Sequence, residues 1–160
     1  MKKGVLILLT FVPVIIGWAM NLMILIPIFG MILFYALPVV TTIFWIYLGK
    51  QFAHTSWKTI PAILIGNTTG IASLLLYLWQ FLLKTDETRN LTLAGISQMF
   101  SASAPGYILG RLALLFEREP NTIGAASAVA LQIISVIYMI AIFSIAFLYE
   151  KSKAKKTSSV

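Results

Sequence analysis

The sequence predicts an all-α polytopic integral membrane protein: four transmembrane helices with an additional short amphipathic helix in the outer loop. Three observations carry that reading. Of 160 residues, 59% are apolar and 11% charged, against about 45–50% and about 25% in ordinary globular chains. The charges gather at the two ends and in two intervening stretches, so they cannot cover the surface of a water-soluble fold. The segment from Gly4 to Gly49 contains no charged residue, and a bilayer core about 30 Å thick needs only about 20 residues per crossing.

Two crossings therefore fit between Gly4 and Gly49, at about residues 4–20 and 28–49. A tight hairpin between Met20 and Ile28 joins them, with Asn21 as its polar residue and Pro27 in the first turn of the second helix, where its missing N–H is not needed. Its backbone has to sit at the interface or under protein, because lipid cannot satisfy it. The third span, 61–83, opens after Thr59 and Pro61 and ends at Lys84 with Trp79 as an aromatic anchor. The fourth, 123–149, follows Pro120 and the N-cap candidate Asn121. Residues 1–160 thus form one membrane domain, with an extracytoplasmic loop at 84–121 and a basic tail at 150–160.

Orientation follows from Lys and Arg, which stay cytoplasmic when they lie in short loops. Lys2, Lys3, Lys50, Lys58, Lys151, Lys153, Lys155 and Lys156 fall in the termini and the second loop, with Glu150 their single acid. In the long loop, Lys84, Arg89, Arg111 and Arg118 are balanced by Asp86, Glu87, Glu117 and Glu119. The whole net charge of +7 lies on one side, which places both termini in the cytoplasm, and the compact layout favours a bacterial cell membrane. Lys2, Lys3, Lys151, Lys153, Lys155 and Lys156 are the residues expected to face anionic headgroups. The tail itself is too poor in apolar residues to fold alone.

Two alternatives stand beside this topology. Lys2 and Lys3 followed by an apolar run and by Gly17 and Ala19 resemble a signal peptide, but the apolar sequence continues past that site, which favours an uncleaved anchor. Residues 99–116 are apolar enough for a fifth crossing, but Pro105 and Gly106 interrupt them. The remaining segment, Tyr107 to Phe116, reads as a short amphipathic helix lying on the outer surface or folded over the bundle, with Leu109, Leu112, Ala113 and Phe116 on one side and Arg111 and Arg118 on the other.

No Asp, Glu, Lys, Arg or His lies inside the four spans, which counts against proton relays, ion-coupled carriers and voltage sensors. Uncharged polar residues do occur there. Thr41, Asn67 and Tyr138 fall roughly 12, 9 and 15 Å from the cytoplasmic ends of their helices, and with Thr42, Thr68 and Thr69 they can form one polar layer; Gln132 and Ser135 lie further out. The plainer reading of such groups is interhelical packing, at about 0.6 kcal/mol per bond; the functional one is a solute path. Gly66, Gly70 and Ser73 on the third span and Gly124 and Ala128 on the fourth present small-residue faces for close helix contact. Pro13 and Pro38 lie inside the first two helices as kink sites.

Nothing points to an enzyme. Cysteine is absent, His54 has no clustered donors for a metal, and neither a nucleophile motif nor a phosphate-cradling glycine loop is present. No cofactor is implied, and no basic recognition helix suggests nucleic acid. The residues point first to a non-catalytic accessory, regulatory or assembly subunit acting through helix contacts, with a membrane protein or a second copy as partner. The alternative is a small permease or exporter component that works as an oligomer.

Overall fold

The computed structural model describes residues 1–23, 25–113, 115, 117 and 122–157, without the side chains of 107, 111, 112 and 157. Among these residues the chain is all helical: α1 (Lys3–Leu9), α2 (Val12–Met23), α3 (Phe29–Ala53), α4 (Thr59–Gly66), α5 (Thr68–Leu82), α6 (Leu91–Ala102), α7 (Gly106–Ala113) and α8 (Ala125–Thr157). Three stretches are long and apolar enough to cross a membrane, Lys3–Met23, Phe29–Ala53 and Ala125–Lys156. The pair α4 and α5, bent by 56°, makes a fourth if it counts as one span. Helix ends fall within a few residues of the expected span limits, apart from the C-terminal end of α8.

Both interrupted helices break for local reasons. The ring of a proline inside a helix clashes with the carbonyl four residues earlier; for Pro13 that residue is Leu9, where α1 ends. The Thr10 hydroxyl then donates to the Ile7 carbonyl at 2.7 Å. At Asn67 two side chains bond back to the preceding helix: Asn67 Nδ2 donates to the Ile63 carbonyl, which also takes the regular bond from the Asn67 N–H, and the Thr68 hydroxyl donates to that of Leu64. Such back-bonding competes with the helical ladder and bends it. Pro38, in contrast, lies within an unbroken α3.

The framework is the pair α3 and α8. On α3 the buried residues Phe34, Pro38, Thr41, Trp45, Leu48 and Phe52 alternate in steps of four and three, and Gln132, Val136, Met139, Phe143 and Ala146 do the same on α8. This heptad spacing suits a shallow knobs-into-holes crossing. His54 Nε2 lies 3.4 Å from Glu150 Oε1, and Gly49 packs on Phe143 and Ala146, so the two helices run parallel. Each follows a broken helix in the chain: α1 and α2 precede α3, and α4 and α5 precede α8 with α6 and α7 inserted between.

That insertion corrects the expectation of a loop over 84–121. Here α6 lies between α2 and α5, α7 packs on α8, and the turn joining them is internal, with Ser101, Ala102, Ser103 and Ala104 all buried. The short helix expected from Tyr107 is α7, and it packs on α8. Serines disguised this hairpin in the sequence. Ser97 and Ser103 donate to the Ala94 and Phe100 carbonyls of their own chain at 2.7 and 2.8 Å, so they enter the interior as small, satisfied residues. Gly17 makes the α2 to α6 approach possible, since a Cβ there would collide with the Met99 carbonyl.

The tail is a second correction, because α8 continues through Lys151 to Thr157. Extending a formed helix needs no new nucleus, Glu, Lys and Ala are good helix formers, and lysines suit a helix C-terminus. Residues 158–160, the capping candidate Asn121, and Phe116, Arg118 and Glu119 lie outside the described residues. The start of α8 is instead held by Glu117. The Ser127 hydroxyl and the Gly124 N–H, the latter at 3.0 Å, donate to its carboxylate and hold its pKa below the usual carboxylate range.

Two outcomes are expected in detergent unfolding experiments. Gly17→Ala loses about 1–3 kcal/mol through overpacking against Met99, whereas Gly95→Ala, which meets nothing within 4 Å, is neutral or gains up to about 1 kcal/mol in helix propensity. A depressed folded-state pKa stabilises above the unfolded value and ceases to do so as pH falls through the folded value. The stability gap between wild type and Glu117→Gln is therefore largest near neutrality and closes in acid.

Candidate functional site: a polar layer at three helix breaks

The two broken helices and the α6–α7 turn meet inside the bundle. The Thr69 hydroxyl donates to the Thr10 carbonyl at 2.7 Å, a buried bond that ties one break to the other. The Trp45 indole N–H donates to Asn67 Oδ1 at 3.3 Å, tying the second break to α3. The Phe100 ring meets Trp45 edge-on at 5.7 Å and covers Gly70, and Gly106 lies directly on Ser135. Continuing the α3 to α8 register from Gly49 brings Thr41 level with Ser135 and Tyr138. All of these groups fall within a slab about one to two helical turns thick.

Six helix ends face this slab: α1, α4 and α6 finish in it, and α2, α5 and α7 begin in it. Helix ends leave N–H and C=O groups without regular intrahelical partners, and here short-range bonds such as Thr10 N–H to the Ile7 carbonyl, Asn67 N–H to those of Ile63 and Leu64, and Ala104 N–H to that of Ser101 take up part of them. Side chains add to the inventory. Thr41 Oγ1, Ser101 Oγ and Gln132 Oε1 are buried without a hydrogen-bond partner, Gln132 one turn beyond Ser135 toward the end of the bundle opposite the lysines. A buried unpaired polar group costs about 1–3 kcal/mol, and such groups in a native interior call for a reason. From Trp45 and Phe100 in the layer the aromatic cluster continues toward the lysine-rich end through Phe143 and Phe52, with Phe143 at 5.9 Å from Trp45 and 5.3 Å from Phe52.

Of the polar residues picked from the sequence, Thr41 and Asn67 are buried on either side of Trp45. Tyr138 is half-buried against the core. Thr42 bonds the Pro38 carbonyl of its own helix, and Thr68 is exposed. Among the small residues, Gly66 receives the Phe143 ring and Gly70 the Phe100 ring, while Ser73 and Ala128 are half-buried. Gly124 precedes α8 and faces the Glu117 carboxylate, so α4 and α8 meet at Gly66 without Gly124 or Ala128. Sequence reasoning missed Thr10, Trp45, Phe100 and Ser101. Trp45, four residues from the expected span end at Gly49, reads from sequence as an ordinary interfacial tryptophan, so no local signal marked it.

The lysines collect at one end. Lys3 lies 5.4 Å over the Trp57 ring, Lys151 donates to Thr59 Oγ1 at 2.8 Å, and His54 approaches Glu150. Lys2, Lys153, Lys155 and Lys156 are exposed there. At the other end Arg89 pairs with Asp86 at 2.8 Å, and Gln80 Oε1 accepts from the Asn90 N–H at 2.9 Å. Among the described residues no group of three or more His, Cys, Asp or Glu is placed to hold a metal. The chain matches no protein-family model, no curated protein and no solved structure.

The Trp45 to Asn67 bond sets an expectation for stability. Asn67→Leu leaves the indole N–H buried and unpaired and lowers unfolding stability by about 1–3 kcal/mol. In the Trp45→Phe background the same change costs less, a coupling that a double-mutant cycle in micelles measures.

Proposed function

We propose that this chain is a multi-pass protein of a bacterial cell membrane that passes a small solute without transforming it chemically. Its four crossings are α1 with α2, α3, α4 with α5, and α8; α6 and α7 re-enter from outside, and both termini lie in the cytoplasm. Lipid exposure accounts for outward apolar side chains such as Ile43, Leu75 and Ile145, each more than 60% exposed, which in water would form patches beyond those of soluble monomers. The sidedness rests on the lysine-rich end, where the exposed lysines can meet anionic headgroups.

One observation favours passage over the accessory-subunit reading: interrupted helices and a buried hairpin converge on polar atoms that have no partner. Irregular backbone at membrane depth is tolerated where protein covers it or where it lines a polar path, and discontinuous helices commonly form transporter binding sites. The accessory reading leaned on Gly66 and Gly70 as docking faces, and rings of the same chain cover both. The inserted hairpin also divides two units of one broken and one straight helix, an arrangement akin to the repeats of many carriers.

A topology reporter fused after Val160 is expected to be active only in the cytoplasm; an external signal refutes the orientation. In proteoliposomes, Gln132→Leu is expected to reduce solute equilibration at least severalfold while the protein accumulates and unfolds as wild type does. Unchanged flux with this variant removes Gln132 from the path.

A further inference from the structure

Taking passage as given, we infer that the polar layer is a binding site for a small uncharged solute rich in hydroxyl or amide N–H groups. The inventory of the layer defines the ligand. Gln132 Oε1 can only accept, so the solute must donate to it; the Thr41 and Ser101 hydroxyls can donate or accept, so they match alcohols and amides alike. All three oxygens are buried and unpaired, and Ser101 sits in the last turn of α6, beside the break.

Helix ends sharpen the selection. A helix N-terminus carries partial positive charge and a C-terminus partial negative charge. A site built from N-termini alone would draw anions, and one built from C-termini alone would draw cations. Here α2, α5 and α7 contribute N-termini and α1, α4 and α6 contribute C-termini to one layer, so the two signs offset each other. Residues 4–49, 61–83, 91–110 and 122–149 contain no Asp, Glu, Lys, Arg or His to supply a counter-charge, and an ion stripped of water would meet a desolvation cost of several kcal/mol without an ionic partner. The rings of Trp45 and Phe100 provide an apolar wall next to these few polar groups, the usual make-up of a small-molecule site.

The test uses the full-length protein in proteoliposomes. Stopped-flow light scattering follows glycerol, erythritol, urea and acetamide, while tracer uptake follows potassium, chloride and lactate. The expected result is that at least one neutral solute equilibrates severalfold faster than in empty vesicles and none of the charged ones does. Thr41→Val and Ser101→Ala each slow that solute about two- to tenfold, the worth of one hydrogen bond, and leave the unfolding temperature unchanged or raised, because each removes an unpaired hydroxyl.

Flux of charged solutes without neutral ones overturns the assigned ligand class and leaves passage standing. No flux of any of these solutes from folded protein overturns both. Unaltered neutral flux in the two variants overturns the site, as does a flux loss that merely tracks a lowered unfolding temperature, since the hydroxyls would then be structural.

Discussion

An apolar surrounding cannot hydrogen-bond a backbone, so in the membrane placement proposed above each helix interruption has to find partners within the protein. Much of the architecture answers that demand. The break at Thr10 is met by Thr69, the break at Asn67 is met by Trp45 and by its own side chain, and the α6–α7 turn is lined by serines, two of which bond back to their own helices. Gathering the breaks at one height lets each interruption serve another, and it concentrates the polar atoms left over, Thr41, Ser101 and Gln132, in the same layer.

Around that layer the molecule divides its labour. The parallel α3 and α8 form a seam with a heptad repeat, packed at one end by Trp45, Phe52, Phe143 and Phe147 and closed there by His54, Glu150, Thr59 and Lys151. The broken helices and the hairpin are arranged against that seam. Glycine is used where backbones or rings come closest: Gly17 under Met99, Gly66 under Phe143, Gly70 under Phe100 and Gly106 on Ser135. Of the small-residue faces read from sequence, Gly66 and Gly70 mark close contacts, although the sequence does not name the contacting element. Gly70 was expected to face another span and instead receives a ring from the hairpin.

What could be read along the chain was whatever depends on neighbours in sequence. Runs of apolar residues located the three long helices and the bent pair to within a few residues, apart from the end of α8, because helix length and hydropathy are local properties. Pro13 marked a true interruption, since its clash is with a residue four positions away. Thr41 and Asn67 were legible as buried polar groups from their depth alone. The lysine clusters marked one end of the bundle for the same reason: they fall in sequence at the ends of the long apolar runs.

Pairing in space decided the remainder. Serine at positions 97, 101 and 103 reads as polar in a linear pattern, and the bonds of Ser97 and Ser103 to the preceding turn let them go inside, which is why a loop was expected where α6 stands. Glu150 and the lysines after it read as a solvated tail, yet a helix already nucleated by the span before them carries them on to Thr157. Above all, no periodicity reveals that Thr10 and Thr69 are bonded or that Phe100 covers Gly70. Those contacts join residues far apart in the chain, and their energy exists only once the helices have packed.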